Sequence, residues 1–132
     1  GFAAAVQQAM ADRDERHRRL SGLRDQLWNG LNDQLPSIER NGAAAPRLAH
    51  NLNITLPGVS GSRLHRSLRP HLACSSGSAC SNGAPSHVLQ ALGRSRAEAE
   101  ASLRLSLGRS TTANAVEQAI ACIVEAVAAQ QT

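Results

Sequence analysis

The chain has 132 residues, which is the size of one domain and enough to bury about two thirds of the unfolded surface. Aromatic residues make up only 2% of it, so Ala, Leu, Ile and Val must form the core. Its three cysteines are odd in number and lack the spacing of a disulfide framework, which favours a reducing, intracellular compartment. The sequence has no membrane-spanning apolar run and no signal-peptide pattern at its start, so we expect a soluble, cytoplasmic protein.

The basic residues are all arginine, and they outnumber the acidic residues to give a net charge of +4. They are scattered, no aromatic residues lie among them for base stacking, and acidic residues share the run from Asp12 to Arg19. We therefore expect this run to be a solvated helix face and the chain not to bind nucleic acid directly. Because the chain has no lysine, none of its side chains can form a Schiff base with a carbonyl cofactor.

The first half of the chain predicts a long helix, two strands and a short helix. Leucines recur at helical spacing within a helix from Phe2 to Leu31, and Pro36 rules out further extension. The segment "SIERNG" predicts a short strand closed by a turn at Asn41-Gly42, and "NLNITLPG" predicts a half-buried strand. The segment "SGSRLHRSLRP" predicts a short helix that ends at Pro70.

The second half predicts a strand at "HLAC", a polar loop, a short helix at "PSHVLQALG" and a further turn at "AEAEA". The strictly alternating segment "SLRLSLG" predicts a strand from Ser102 to Gly108, with Arg104 on the face opposite to the leucines. The last segment predicts an amphipathic helix that begins after Thr111 or Thr112, and Arg109 is expected to stabilise the turn before it. The order of elements fits one α+β (or α/β) domain over residues 1–132, with helices on a small, mostly antiparallel sheet.

The polar loop at about residues 74–84, "CSSGSACSNGA", carries Cys80 among serines and glycines. A buried, inert thiol is the usual role of a free cysteine, and it suits Cys122 and Cys74 better than Cys80, whose neighbours offer almost no apolar surface. A metal site that combines Cys74 and Cys80 with His71 and His87 lacks the close ligand pairs of zinc sites. The third alternative is a nucleophilic thiol on a polar tether, ionised with the help of nearby donors.

Three segments together, "SSGSACS", "PSHVLQALG" and "SLRLSLGRSTT", resemble the C-terminal part of the NifS-like cysteine desulfurases. These are pyridoxal-phosphate (PLP) enzymes of the class V aminotransferase family, and the resemblance extends over nearly the whole chain. It implies the fold of the small C-terminal domain of a fold-type-I PLP-dependent transferase. It also implies that Cys80 takes sulfur from cofactor-bound L-cysteine as a persulfide, releasing L-alanine, and that Arg104 binds the substrate carboxylate.

The resemblance further implies what this chain lacks. In the family, the cofactor lysine and the PLP-binding groups lie in a larger, preceding domain, so the chain is expected to be inactive without such a domain. The complete enzymes are homodimers that deliver sulfur to iron–sulfur scaffold and tRNA-thiolation proteins, and these would be the partners here. Two alternatives remain open at this point, a non-catalytic interaction module (or truncated copy) and a selenocysteine lyase, and the sequence does not distinguish them.

Overall fold

The computed structural model describes residues 1–75 and 85–131, and this part of the chain contains six helices and one antiparallel sheet of three strands. In chain order the elements are α1 (Phe2–Ala11), α2 (Arg13–Gln34), β1 (Glu39–Arg40), β2 (Asn51–Thr55), α3 (Gly61–Leu68), α4 (His87–Ala91), α5 (Arg96–Glu100), β3 (Ser102–Ser106) and α6 (Ala113–Gln131). Neighbouring strands lie in the order β1-β2-β3. The predicted class, helices on a small antiparallel sheet, is confirmed. None of the described helices is both long and apolar enough to span a bilayer.

One face of the sheet is apolar because every second residue of β2 and β3 points to it. Leu52 lies opposite Leu105 and Ile54 opposite Leu103, and all four side chains are buried. Helix α2 packs on β2 and on α6, and α3 also packs on α6. The core therefore lies between this face and a layer formed by α2, α3 and α6.

Helix α6 confirms the predicted amphipathic pattern. Val116, Ile120, Ile123 and Val127 are all buried along one stripe. The hydroxyl of Thr112 accepts a hydrogen bond from the backbone N–H of Ala115 at 3.1 Å, so the helix begins after one of the two predicted capping residues.

The opposite face of the sheet is polar. Its cross-strand pairs are Asn51 with Ser106, Asn53 with Arg104, and Thr55 with Ser102. Thr55 and Ser102 are buried at one end of the ladder, whereas Arg104 and Ser106 are exposed towards the other end. The two ends of this face therefore present different environments to any ligand.

The predicted long helix from Phe2 to Leu31 is interrupted at Asp12. This residue has φ −113° and ψ 14°, outside helical geometry, and it separates α1 from α2. Aspartate is a favoured residue at a helix N-terminus, and its carboxylate accepts a hydrogen bond from Arg16 at 2.5 Å. Helix α2 also ends three residues later than expected, at Gln34.

The prediction of a strand at "HLAC" is wrong. After α3, the backbone N–H groups of His71 and Leu72 bond back to the carbonyl of Leu68, at 2.9 and 2.8 Å. Because these donors are directed back to the helix end, the segment does not form a ladder. Within residues 71–75, only Ser75 pairs with the sheet, through an isolated bridge to Arg104.

Helix α3 begins at a glycine because there is no room for a side chain. A Cβ atom on Gly61 would lie 1.8 Å from the backbone carbonyl oxygen of Glu100, at the end of α5. The absence of a side chain therefore lets α3 approach the chain that leads directly into β3.

Candidate functional site

Arg104 lies in the middle of β3 on the polar face of the sheet, as its alternation with buried leucines predicts. Its side chain is exposed and makes no hydrogen bond or ion pair with any residue of 1–75 or 85–131. Its backbone is held on a regular ladder opposite Asn53. A guanidinium carried by a strand and not paired with a carboxylate of its own is suited to bind a carboxylate from outside with two parallel hydrogen bonds.

The segment that contains Cys80 begins at this same strand position. The backbone N–H of Arg104 donates to the carbonyl of Ser75 at 2.7 Å, and the N–H of Ser75 donates to the carbonyl of Arg104 at 3.2 Å. Cys80 itself lies outside the described residues. Ser75 is the fifth residue before Cys80, so the last described residue before Cys80 is paired with Arg104.

Cys74, next to Ser75, is a partly packed thiol. It is half-buried against the hydrophobic core, and burial raises the pKa of its thiol. Its Sγ lies 3.8 Å from Nδ1 of His65, whose pKa is lowered mainly by burial, against a smaller opposing effect of the Ser102 backbone. A raised thiol pKa favours the neutral form of Cys74 over the thiolate.

The chain that follows the Cys80 segment is held to the sheet by a polar cluster, which we name the Asn41–Arg94 network. Ser86 caps α4 by accepting from the N–H of Leu89 at 3.4 Å, and Arg94 follows the turn at the end of this helix. Nε of Arg94 donates to Oδ1 of Asn41 at 2.6 Å, and its guanidinium also pairs with Glu39 and, at 3.5 Å, with Glu98. These contacts join the α4–α5 region to the end of β1.

The network continues into the polar face of the sheet. Nδ2 of Asn41 donates to Oδ1 of Asn53 at 2.7 Å and to Oγ1 of Thr55 at 2.9 Å. The hydroxyls of Thr55 and Ser102 lie 2.8 Å apart, and Ser102 donates to the carbonyl of Glu98 at 2.7 Å. Asn53 is thus both the cross-strand neighbour of Arg104 and a member of the network.

Several residues have other roles than the sequence suggested. The turn before α6 is stabilised by Arg19, which donates to the carbonyls of Gly108, Arg109 and Thr111 at 3.2, 2.9 and 2.8 Å. The side chain of Arg109 instead lies 3.8 Å from the carboxylate of Asp12. Sequence reasoning missed both Arg19 and Arg94, because their partners lie far away along the chain and no local pattern marks them.

Neither histidine of the considered metal site belongs to a ligand cluster among the described residues. His71 and His87 are exposed, and residues 1–75 and 85–131 contain no group of three or more His, Cys, Asp or Glu side chains that would bind a metal ion. Cys80, the remaining member of that set, lies outside the described residues.

Curated proteins similar to this chain include several that are named cysteine desulfurase IscS. The chain is 40% identical over 129 residues to "Cysteine desulfurase IscS" of Shewanella piezotolerans, covering 96% of this chain and 31% of the relative. It is 45% identical over 125 residues to the protein of the same name from Methylococcus capsulatus, covering 93% of this chain and 30% of the relative. The chain thus spans less than a third of the length of these relatives and matches their C-terminal part. No protein-family profile matches it.

The fold of this chain is similar to that of part of two solved structures. A NifS-like protein from Rickettsia africae aligns with TM-score 0.83 at 24% identity, over 96% of this chain and 33% of its own. A second structure, titled NifS-like protein, aligns with TM-score 0.78 at 24% identity over 93% of this chain and 31% of its own. The resemblance predicted from the sequence and the predicted fold are both confirmed.

Proposed function

From the correspondence of this chain to the C-terminal part of the NifS-like cysteine desulfurases, we propose that it is the sulfur-accepting small domain of such an enzyme. The enzyme converts L-cysteine to L-alanine and leaves the sulfur as a persulfide on Cys80. The observation that carries the proposal is the paired backbone of Ser75 and Arg104, because it joins the start of the Cys80 segment to the strand position of the one exposed guanidinium on β3.

Arg104 binds the carboxylate of the substrate. Its backbone pairs with β2 on one side and with Ser75 on the other, so the base of its side chain has little freedom to move. A guanidinium on such a support orients the substrate as well as binding it, since both of its parallel hydrogen bonds must be satisfied together.

Cys80 accepts the sulfur. Cys80 is the fifth residue after Ser75, so covalent geometry limits the distance between their Cα atoms to about 18 Å. That limit is enough for the thiol both to meet a substrate held at Arg104 and to pass the persulfide to a second protein. Cys74, the other cysteine of this region, is half-buried with a raised pKa and is not a candidate for this step.

The cofactor does not fit on this chain alone. The chain contains no lysine, so it supplies no amine for a Schiff base with pyridoxal phosphate, which in this enzyme class provides the electron sink for the chemistry. We place PLP in a preceding large domain. Helix α1 supports such a domain, because Phe2, Val6 and Met10 are exposed at a spacing of four residues on one side of it. Residues 1–132 are then one small domain that is inactive by itself.

The remaining parts of the proposal concern the assembled enzyme. It acts as a homodimer in the cytoplasm, where free thiols persist, and transfers sulfur to an iron–sulfur scaffold or a tRNA-thiolation protein. No described helix is suited to cross a membrane.

A chimaeric enzyme tests the proposal. This chain replaces the C-terminal part of an IscS desulfurase, whose own large domain supplies the lysine and the cofactor, and alanine release from L-cysteine is measured. We expect turnover, with a persulfide on Cys80 detected by thiol-reactive labelling and mass spectrometry. Cys80→Ser should abolish both, and Cys74→Ser should preserve both.

Four outcomes would contradict this proposal. Alanine formation by the isolated chain with added cofactor would show that no large domain is needed. Persulfide labelling of Cys74 would show that Cys74, and not Cys80, is the nucleophile. Sulfur delivery retained in Cys80→Ala would instead indicate a non-catalytic interaction module, and faster turnover of selenocysteine than of cysteine would indicate a selenocysteine lyase.

A further inference from the structure

Helix α3 presents a basic face next to the start of the Cys80 segment. Ser62, His65, Arg66 and Arg69 recur at helical spacing on the side of α3 that lies away from its buried residues Leu64 and Leu68. Together with Leu72, Ala73 and Cys74 they line a cavity of about 610 Å³, which we name the α3 groove. One wall of this groove is basic and the other is mainly apolar.

The positive charge of the α3 groove is not balanced by acidic residues nearby in the sequence. No Asp or Glu occurs between Glu39 and Glu98, whereas that interval contains seven arginines. Arg63, Arg66 and Arg69 form no ion pair within residues 1–75 and 85–131. Their positive potential is therefore available to an anionic ligand, and it would attract one before contact.

The groove also contains main-chain groups without partners. Ala73 and Cys74 make no backbone hydrogen bond with the described residues. Unpaired N–H groups need acceptors, and unpaired carbonyl groups need donors. A peptide supplies both kinds of group, whereas a phosphate supplies only acceptors. The apolar residues Leu72 and Ala73 further favour a peptide with some apolar side chains.

We infer that the α3 groove binds an acidic segment of a partner protein, with carboxylates at Arg66 and Arg69 and an apolar residue against Leu72 and Ala73. That this partner is the sulfur acceptor rests on the proposed function, because the groove ends at Cys74, one residue before Ser75, which pairs with Arg104 and is the fifth residue before Cys80. The binding itself needs no turnover, so its measurement is separate from the test of the desulfurase reaction.

Fluorescence anisotropy tests the inference with three labelled probes. They are an eight-residue peptide of alternating Glu and Leu, the same peptide with Lys for Glu, and an eight-nucleotide single-stranded RNA. The chain should bind the acidic peptide more tightly than either other probe, and added salt should weaken that binding. No binding of the acidic peptide, or tighter binding of the RNA, would overturn the inference.

Matched variants locate the binding. Arg66→Glu/Arg69→Glu should weaken binding of the acidic peptide by about tenfold or more, since like charges would face each other. Arg13→Glu/Arg18→Glu changes the net charge equally, on exposed residues of α2, and should change affinity less than about twofold. Equal losses of affinity in the two double variants would show that the peptide is attracted by net charge alone, and they would contradict binding in the α3 groove.

An uncharged variant completes the test and does not depend on charge reversal being tolerated. Ala73 is exposed, so Ala73→Trp places a ring in the groove without disturbing the core. We expect this variant to keep the circular dichroism spectrum of the parent chain and to lose most of its affinity for the acidic peptide. Unchanged affinity would place the peptide elsewhere and contradict the inference.

Discussion

On one face of the β2–β3 ladder, leucine and isoleucine side chains lie under α2, α3 and α6. On the other face, the same strands present Thr55 and Ser102 inside a hydrogen-bonded network at one end and an exposed Arg104 towards the other. Adjacent residues of one strand, such as Leu103 and Arg104, therefore have neighbours of opposite character. The comparison teaches that buried apolar side chains and an exposed charged side chain occupy alternate residues of the same strand, so the exposed residue can be changed with little effect on the core.

The largest expected effect is on the apolar face. Leu103→Ala removes a fully buried side chain and leaves a cavity, so it should lower the free energy of unfolding by about 2–5 kcal/mol. Arg104→Ala, one residue away but exposed, should change it by less than about 0.5 kcal/mol. Urea denaturation followed by circular dichroism measures both. Equal losses of stability would show that the two faces are not independent.

The next effect concerns binding on the polar face. In the chimaeric desulfurase, Arg104→Ala should lower kcat/KM for L-cysteine roughly hundredfold, mainly through a higher KM, because charged hydrogen bonds to the carboxylate are lost. Arg96→Ala is the matched control, since that exposed arginine is paired with Glu100 on α5. An unchanged KM in Arg104→Ala would remove Arg104 from the substrate site.

A smaller effect is expected within the Asn41–Arg94 network. Asn41→Ala leaves Arg94, Asn53 and Thr55 without their shared partner and should lower the free energy of unfolding by about 1–3 kcal/mol. The control is Asn51→Ala on the same face of β2, because Oδ1 of Asn51 is buried without a partner among the described residues. Thermal denaturation of both variants should show a clear loss only for Asn41→Ala.

The smallest effect is a pH dependence of stability at His65. Burial lowers the pKa of His65 in the folded chain, so the unfolded chain binds a proton more readily. Stability from this residue should be complete above a pH of about 6.5, the ordinary histidine pKa, and should decline as the pH falls towards the lower folded value. His65→Gln should flatten the curve of melting temperature against pH in this range, and an unchanged curve would contradict the prediction.

Periodicity was sufficient to predict β2, β3 and α6, because their apolar residues recur at spacings that only one kind of element can bury. It placed Arg104 on the polar side of its strand for the same reason. It failed at "HLAC", where the choice between strand and turn depends on whether donors bond to Leu68 or to a distant strand. It also missed the contact of Asn41 with Arg94, since a hydrogen bond across 53 residues leaves no local trace.

The identity of Cys80 as a candidate nucleophile came from composition and from the family resemblance, not from packing. The structure adds the position of the chain that leads to it and the reason for discounting Cys74, whose raised pKa follows from burial that no sequence pattern reveals. The role of Cys80 as the nucleophile stays a prediction, which the chimaeric enzyme can test.

The bridge between Ser75 and Arg104 has one more consequence. It uses only main-chain atoms, so the residue type at either position can vary while the departure point of the following segment stays on the same rung of the sheet. In the proposed enzyme, the number of residues between Ser75 and the catalytic cysteine could therefore differ among related enzymes whose sulfur acceptors differ in size. The distance between Arg104 and Ser75 would stay the same in all of them.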